Sequence, residues 1–216
     1  MIPWSRMRIG AVLILLLPGG QVLAQQSAQV ELVIQQGARE IGREEFSLRQ
    51  GRGRGAPGTT LQATAWQPPK NPTRRLAAVL ERTPEAALAK FQLDVEGPGG
   101  NTVILAVGSG ARLIIRTVAK GSEAGRELPG GPDVVLLDED VYSLYIPIAD
   151  LATANGKALT GVYPRTARRV SFVARRQGPG VVALSGDIRG TLETDSRGLV
   201  SLVLQDSDTR VSRAQD

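Results

Sequence analysis

Residues 133–155 read DVVLLDEDVYSLYIPIADLATAN, and the fold turns on this stretch. Residues 134–137 form an apolar run long enough for a buried strand and too short for a helix. After Asp138, Glu139 and Asp140 the apolar period changes. Val141, Leu144, Tyr145, Ile148, Leu151 and Ala152 recur three and four apart, which places them on one helical face. Acids at such a boundary can accept bonds from unpaired amides and complement the helix dipole. Pro147 lacks a backbone donor, so the run is expected to kink or to split into two short helices, the second starting near Pro147. Asn155-Gly156 is expected to end it. The reading is one main helix near 140–154.

Almost every other segment alternates with a strand's period. Val30, Leu32 and Ile34 oppose Glu31, Val33 and Gln35; residues 39–50 continue with Ile41, Phe46 and Leu48 among charges. Residues 51–58, GRGRGAPG, are a loop, since no regular element tolerates that glycine density. They lack the Lys-Ser/Thr of a phosphate-gripping loop. Leu61, Ala63 and Ala65 share one face, and residues 74–82 alternate again, although their Ala and Leu content also suits a helix. One helical turn is expected at 84–89. Phe91, Leu93 and Val95, then residues 102–107, then Leu113 and Ile115 make three runs joined by short glycine-rich turns, which only antiparallel neighbours permit. Beyond the helix, strands are expected at 159–163, around Val170, Phe172 and Ala174, and at 181–184, 191–194 and 199–205, with a weak strand or tail at 206–213. The fold class is therefore mainly β, one large curved antiparallel sheet packed on one main α-helix.

The chain divides into an N-terminal targeting segment and one domain. Arg6 and Arg8, the short apolar core 9–17 and Val22-Leu23-Ala24 fit a secretory signal cleaved after residue 24. Its apolar run is well short of the ~20 residues a spanning helix needs. Residues 25–216 are then a single β-rich domain, periplasmic or secreted, with no stable membrane span after cleavage. The net charge of +5 falls to +3 once Arg6 and Arg8 are removed. The chain has no His and no Cys. Histidine- and cysteine-based catalysis, the usual zinc and copper sites and a lipid-bearing cysteine are thereby excluded, and neither metal nor cofactor is implied.

A further signal lies in the order of short motifs: Gly42-Arg43-Glu44 with Phe46, a strand meander, Val-Val-Leu-Leu-Asp leading into a Tyr-bearing helix, Tyr163-Pro164, and a closing Gly-Leu-Val-Ser-Leu. In this order the chain resembles exported bacterial proteins with a half-barrel of the LolA/LolB lipoprotein-localisation type. The likeness spans nearly all of the mature chain. It implies a curved sheet wrapped around a helix, with a concave apolar face that holds an acyl chain in some relatives. The chain departs from those carriers in its few aromatics and many glycines.

Three functional readings follow. The first is an exported, non-enzymatic envelope protein that binds or carries an apolar or lipid-like ligand between sheet and helix. Phe91, Leu113, Ile115, Leu144, Tyr145, Tyr163 and Phe172 would line the site. The second is an interaction module with a filled core, whose Arg165, Arg168, Arg169, Arg175 and Arg176 meet an acidic partner such as another envelope protein. A charged outer strand face is the plainer account of those arginines. The third is a carboxylate-based hydrolase built on Asp138, Glu139 and Asp140, against which stands the ordinary role of acids at a helix start. No catalytic residue is assigned. Export and the scarcity of stacking aromatics argue against nucleic acid.

Overall fold

The computed structural model describes residues 29–214, so the expected signal segment at 1–24 lies outside the described residues. Fifteen strands form one sheet. The first eight follow one another as an antiparallel meander: β1 (Val30–Gln36), β2 (Arg39–Gln50), β3 (Thr59–Gln67), β4 (Arg74–Arg82), β5 (Leu88–Glu96), β6 (Thr102–Ser109), β7 (Arg112–Ala119) and β8 (Ser122–Pro129). β9 (Val134–Leu136) leads through a 3-10 turn (Tyr142–Tyr145) and α1 (Ile146–Leu151) to β10 (Lys157–Tyr163). A second meander follows: β11 (Arg168–Gly178), β12 (Val181–Gly186), β13 (Gly190–Asp195), β14 (Gly198–Leu204) and β15 (Thr209–Arg213). The two meanders join where β1 pairs with β15, with Ile34 opposite Val211 and Leu32 opposite Arg213. The order is thus β8 to β1, then β15 back to β9, and every pair is antiparallel except β9 with β10.

Connectivity forces this sheet to curl. Laid flat, fifteen strands would span roughly 65 Å at the usual inter-strand spacing. Yet β8 and β9 are opposite edges joined only by residues 130–133, a link that reaches at most about 18 Å. The edges must approach one another at that end, which leaves a concave interior for the segment between β9 and β10. One core cluster fills it, drawing Phe46, Leu76, Phe91 and Leu113 from the first meander, Phe172, Leu192 and Leu202 from the second, and Val141, Leu144 and Ile148 from the helical segment.

The helical segment is shorter than its apolar period suggests. Pro147 sits in the first turn of α1, after a separate 3-10 turn, in line with the expected split. The end falls at Leu151 rather than at Asn155. Ala152 is already extended, because Thr153 bridges to Arg175 and its carbonyl accepts from the Arg176 amide, so β11 takes over this backbone. The Arg176 guanidinium also donates to the carbonyls of Ala149 and Ala152 at 2.5 and 3.2 Å, closing the helix end.

Other departures are small. Residues 74–82 are strand throughout, and residues 83–87 form a turn with no helix, since Leu88 already pairs with Arg82. β8 has no counterpart in the sequence reading. The expected weak strand or tail at 206–213 is a strand, β15, which lies mid-sheet with Val211 buried.

Candidate functional site

The acids between β9 and the helical turn do not cap it. Asp138 is buried and accepts from the Arg165 guanidinium at 2.7 and 2.8 Å and from the Asp140 amide at 2.9 Å. Asp140 accepts from Arg165, Arg74 and Gln67 at 2.8, 3.0 and 2.9 Å, and Glu139 pairs with Arg168 at 3.1 Å. Burial raises the Asp138 pKa against the pull of Arg165. The cap comes instead from β2. The Glu44 carboxylate, wholly buried, accepts from the amides of Tyr142 and Ser143 at 2.6 and 3.0 Å. Burial pushes its pKa up to about 7, the two amide bonds oppose that rise, and nearby Asp138 adds to it. Glu44 therefore ties the meander to the helical segment across almost a hundred residues of chain.

The arginine cluster does not form one patch. Strand alternation sends Arg169 and Arg175 outward and Arg168 and Arg176 inward. Arg168 stacks over the Tyr163 ring at 3.9 Å, Arg176 closes α1, and Arg165 is held by Asp138 and Asp140. Three of the five are thus engaged within the chain.

Phe91, Leu113, Ile115, Leu144, Tyr145, Tyr163 and Phe172 are all buried, from 0% to 7% exposed, and they belong to the packed core. Tyr145 and Tyr163 also border a cleft of about 380 Å³ at the end where the 3-10 turn meets the β14–β15 turn, and their hydroxyls lie 3.2 Å apart. Its carboxylates are spoken for: Glu139 and Asp140 by arginines, Asp206 by Arg189, and Asp187 by the Ser171 amide. Carboxylates held in this way fix the loops around the cleft.

The roomier space lies at the other end. A cleft of about 730 Å³ opens between β2, β3 and β4 on one side, α1 on another and the β13–β14 turn on the third. Leu48, Leu61, Leu80, Ile146, Pro147 and Ala149 give it apolar walls, and Arg49, Arg82, Arg197, Asp150 and Asp195 lie around them. Its volume falls inside the range of roughly 300–1,000 Å³ for small-molecule sites. Two sheet details create it. β1 begins with Val30 opposite Phe46, and β15 first meets β14 at Ser201 opposite Ser212. Beyond those points, among the described residues, β2 and β14 have no strand between them, and the β13–β14 turn folds toward β2. There Gly198 sits at φ +107°, and a Cβ on it would stand 2.7 Å from the Phe46 ring and 2.9 Å from Leu48. Arg82 braces α1 against β4, donating to Asp150 at 2.7 Å and to the Ala86 carbonyl at 2.9 and 3.0 Å. Alternation put Leu61 on one face with Ala63 and Ala65 but could not show where the wall parts, because that depends on where neighbouring strands stop.

Fold and cleft together define a class: a curled antiparallel sheet closed around a short helix, with an apolar opening at one end. In fold alone, the chain is similar to a DUF1089 family protein from Pseudomonas aeruginosa, known from its crystal structure. The two match with a TM-score of 0.53 at 14% identity, over 77% of this chain and 90% of that one. No family model matches the sequence, and no curated protein matches it significantly.

Proposed function

We propose that this is an exported, non-enzymatic envelope protein that binds or carries an apolar, lipid-like ligand between its sheet and its helix. The observation that carries the reading is the 730 Å³ cleft, which lies between sheet and helix and has six apolar residues on its walls. The half-barrel resemblance and the signal-like N-terminus point the same way. The ligand enters beside Leu48, Leu61, Leu80 and Ile146, while the residues first expected to line the site belong to the packed core. Native mass spectrometry of the protein purified from a bacterial periplasm tests the proposal. A co-purifying lipid mass, removed by organic extraction, is expected. Protein at the bare chain mass from a lipid-replete periplasm would sink the carrier reading.

A second reading has its own support. Val107, Ile114 and Val118 are exposed on the outer face of β6 and β7, beside the edge of β8 that no strand among the described residues pairs. An exposed apolar strip at a free sheet edge suits an assembly contact. The arginine-faced version is weakened by the internal engagement of Arg165, Arg168 and Arg176.

A further inference from the structure

The cleft's charges do not balance. Of its two acids, Asp150 is taken by Arg82 at 2.7 Å, and Asp195 is taken by Arg213 in a two-pronged pair at 2.7 and 2.8 Å. Arg49 and Arg197 remain, both exposed; among the described residues neither side chain has a carboxylate within ion-pair distance, although the Arg197 amide donates to Asp195 at 2.8 Å and its charge adds to the pull of Arg213 on that acid. Both line the cleft, Arg49 on β2 next to Leu48 and Arg197 in the β13–β14 turn next to the Gly198 that packs on Leu48. Resting on the apolar-ligand reading, we propose that Arg49 and Arg197 form a head-group subsite, so that the ligand is an anionic amphiphile. Its single chain lies against Leu61, Leu80 and Ile146, and its carboxylate or phosphate head lies between the two guanidinium groups. A planar guanidinium is well suited to either head through paired donors. A neutral head would leave both guanidinium groups without an anionic partner.

The test uses the chain from residue 25 and three probes: oleate, methyl oleate and inorganic phosphate, titrated by calorimetry into the wild type and into R49Q/R197Q. Both substitutions lie on exposed side chains, and unchanged thermal unfolding of the variant confirms its fold. Oleate is expected to bind the wild type roughly tenfold more tightly than methyl oleate. That preference should shrink in 0.5 M salt, at a Debye length of only a few Å, and vanish in the variant, which keeps its affinity for methyl oleate. Equal binding of the two probes by the wild type, or a preference that survives in R49Q/R197Q, overturns the head-group subsite while the apolar-ligand reading stands. Phosphate that displaces oleate at equal concentration also overturns it, by assigning the arginines to a free small anion. Failure of both chain-bearing probes to bind removes the apolar-ligand reading itself.

Discussion

Replacing Glu44 with Gln tests the link between the two halves of the molecule through its pH dependence. The Glu44 carboxyl is wholly buried in the folded protein, with a pKa raised from 4.5 to about 7. A folded-state pKa above the unfolded one means that the native state binds the extra proton between these values. Stability from this group is then fully present below pH 4.5 and is lost as pH rises through 7. The shift of about 2.5 units corresponds to about 3 kcal/mol. Wild-type stability, from urea midpoints between pH 4.5 and 8.5, should therefore carry a downward component of about that size. Glu44→Gln cannot ionise, so its curve should lack this component. Its amide can accept from only one of the Tyr142 and Ser143 amides, which makes the variant less stable than wild type at pH 4.5 by about 1–3 kcal/mol. The gap should narrow or reverse by pH 8.5. Parallel curves across the whole range would refute the argument, because they would mean that Glu44 does not titrate differently in the folded protein.

Arg165→Ala should cost about 3–5 kcal/mol at pH 8, because it leaves the buried Asp138 without its partner, and clearly less at pH 4, where protonation relieves the carboxylate; chemical denaturation at the two pH values checks this. Leu144→Ala and Phe172→Ala, both in packed core, should each lower stability by about 2–5 kcal/mol, with no change after lipid extraction, as read from denaturant midpoints. Truncation after Gln205 removes β15, the strand joining the two meanders, and should abolish the cooperative unfolding transition seen by circular dichroism. Gly198→Ala places a Cβ against Phe46 at positive φ and should lower the thermal midpoint, an effect that a flexible surface turn would not show.

The strands that the sequence revealed are those with one face in the core. β1, β2 and β4 match their expected limits because apolar and polar residues alternate along them. β8 escaped because nearly all of its residues are exposed, so neither face carries an apolar signal. β15 read only as a weak strand or tail because Val211 is its one aliphatic residue, and its burial comes from its neighbours β1 and β14. The helix was placed correctly and drawn too long, since periodicity could not show that β11 claims Thr153. The acids of residues 138–140 looked like a cap by position alone. Glu44, the acid that does cap, lies almost a hundred residues away, where only the fold brings it near. The arginine cluster was dense in sequence, yet strand parity divides it between two faces. The cleft was the least legible feature, because it exists where β1 and β15 stop and no local pattern records a gap.

The central proposal is that the space beside Leu48, Leu61, Leu80 and Ile146 receives a ligand while the core around Leu113, Ile115 and Leu144 stays closed. Methyl NMR of isotope-labelled protein titrated with oleate tests this most directly. The account predicts shifts concentrated in the methyl groups of Leu48, Leu61, Leu80 and Ile146, with Leu113, Ile115 and Leu144 unmoved. Shifts centred on Val107, Ile114 and Val118 instead, or no saturable shifts at all, would contradict it.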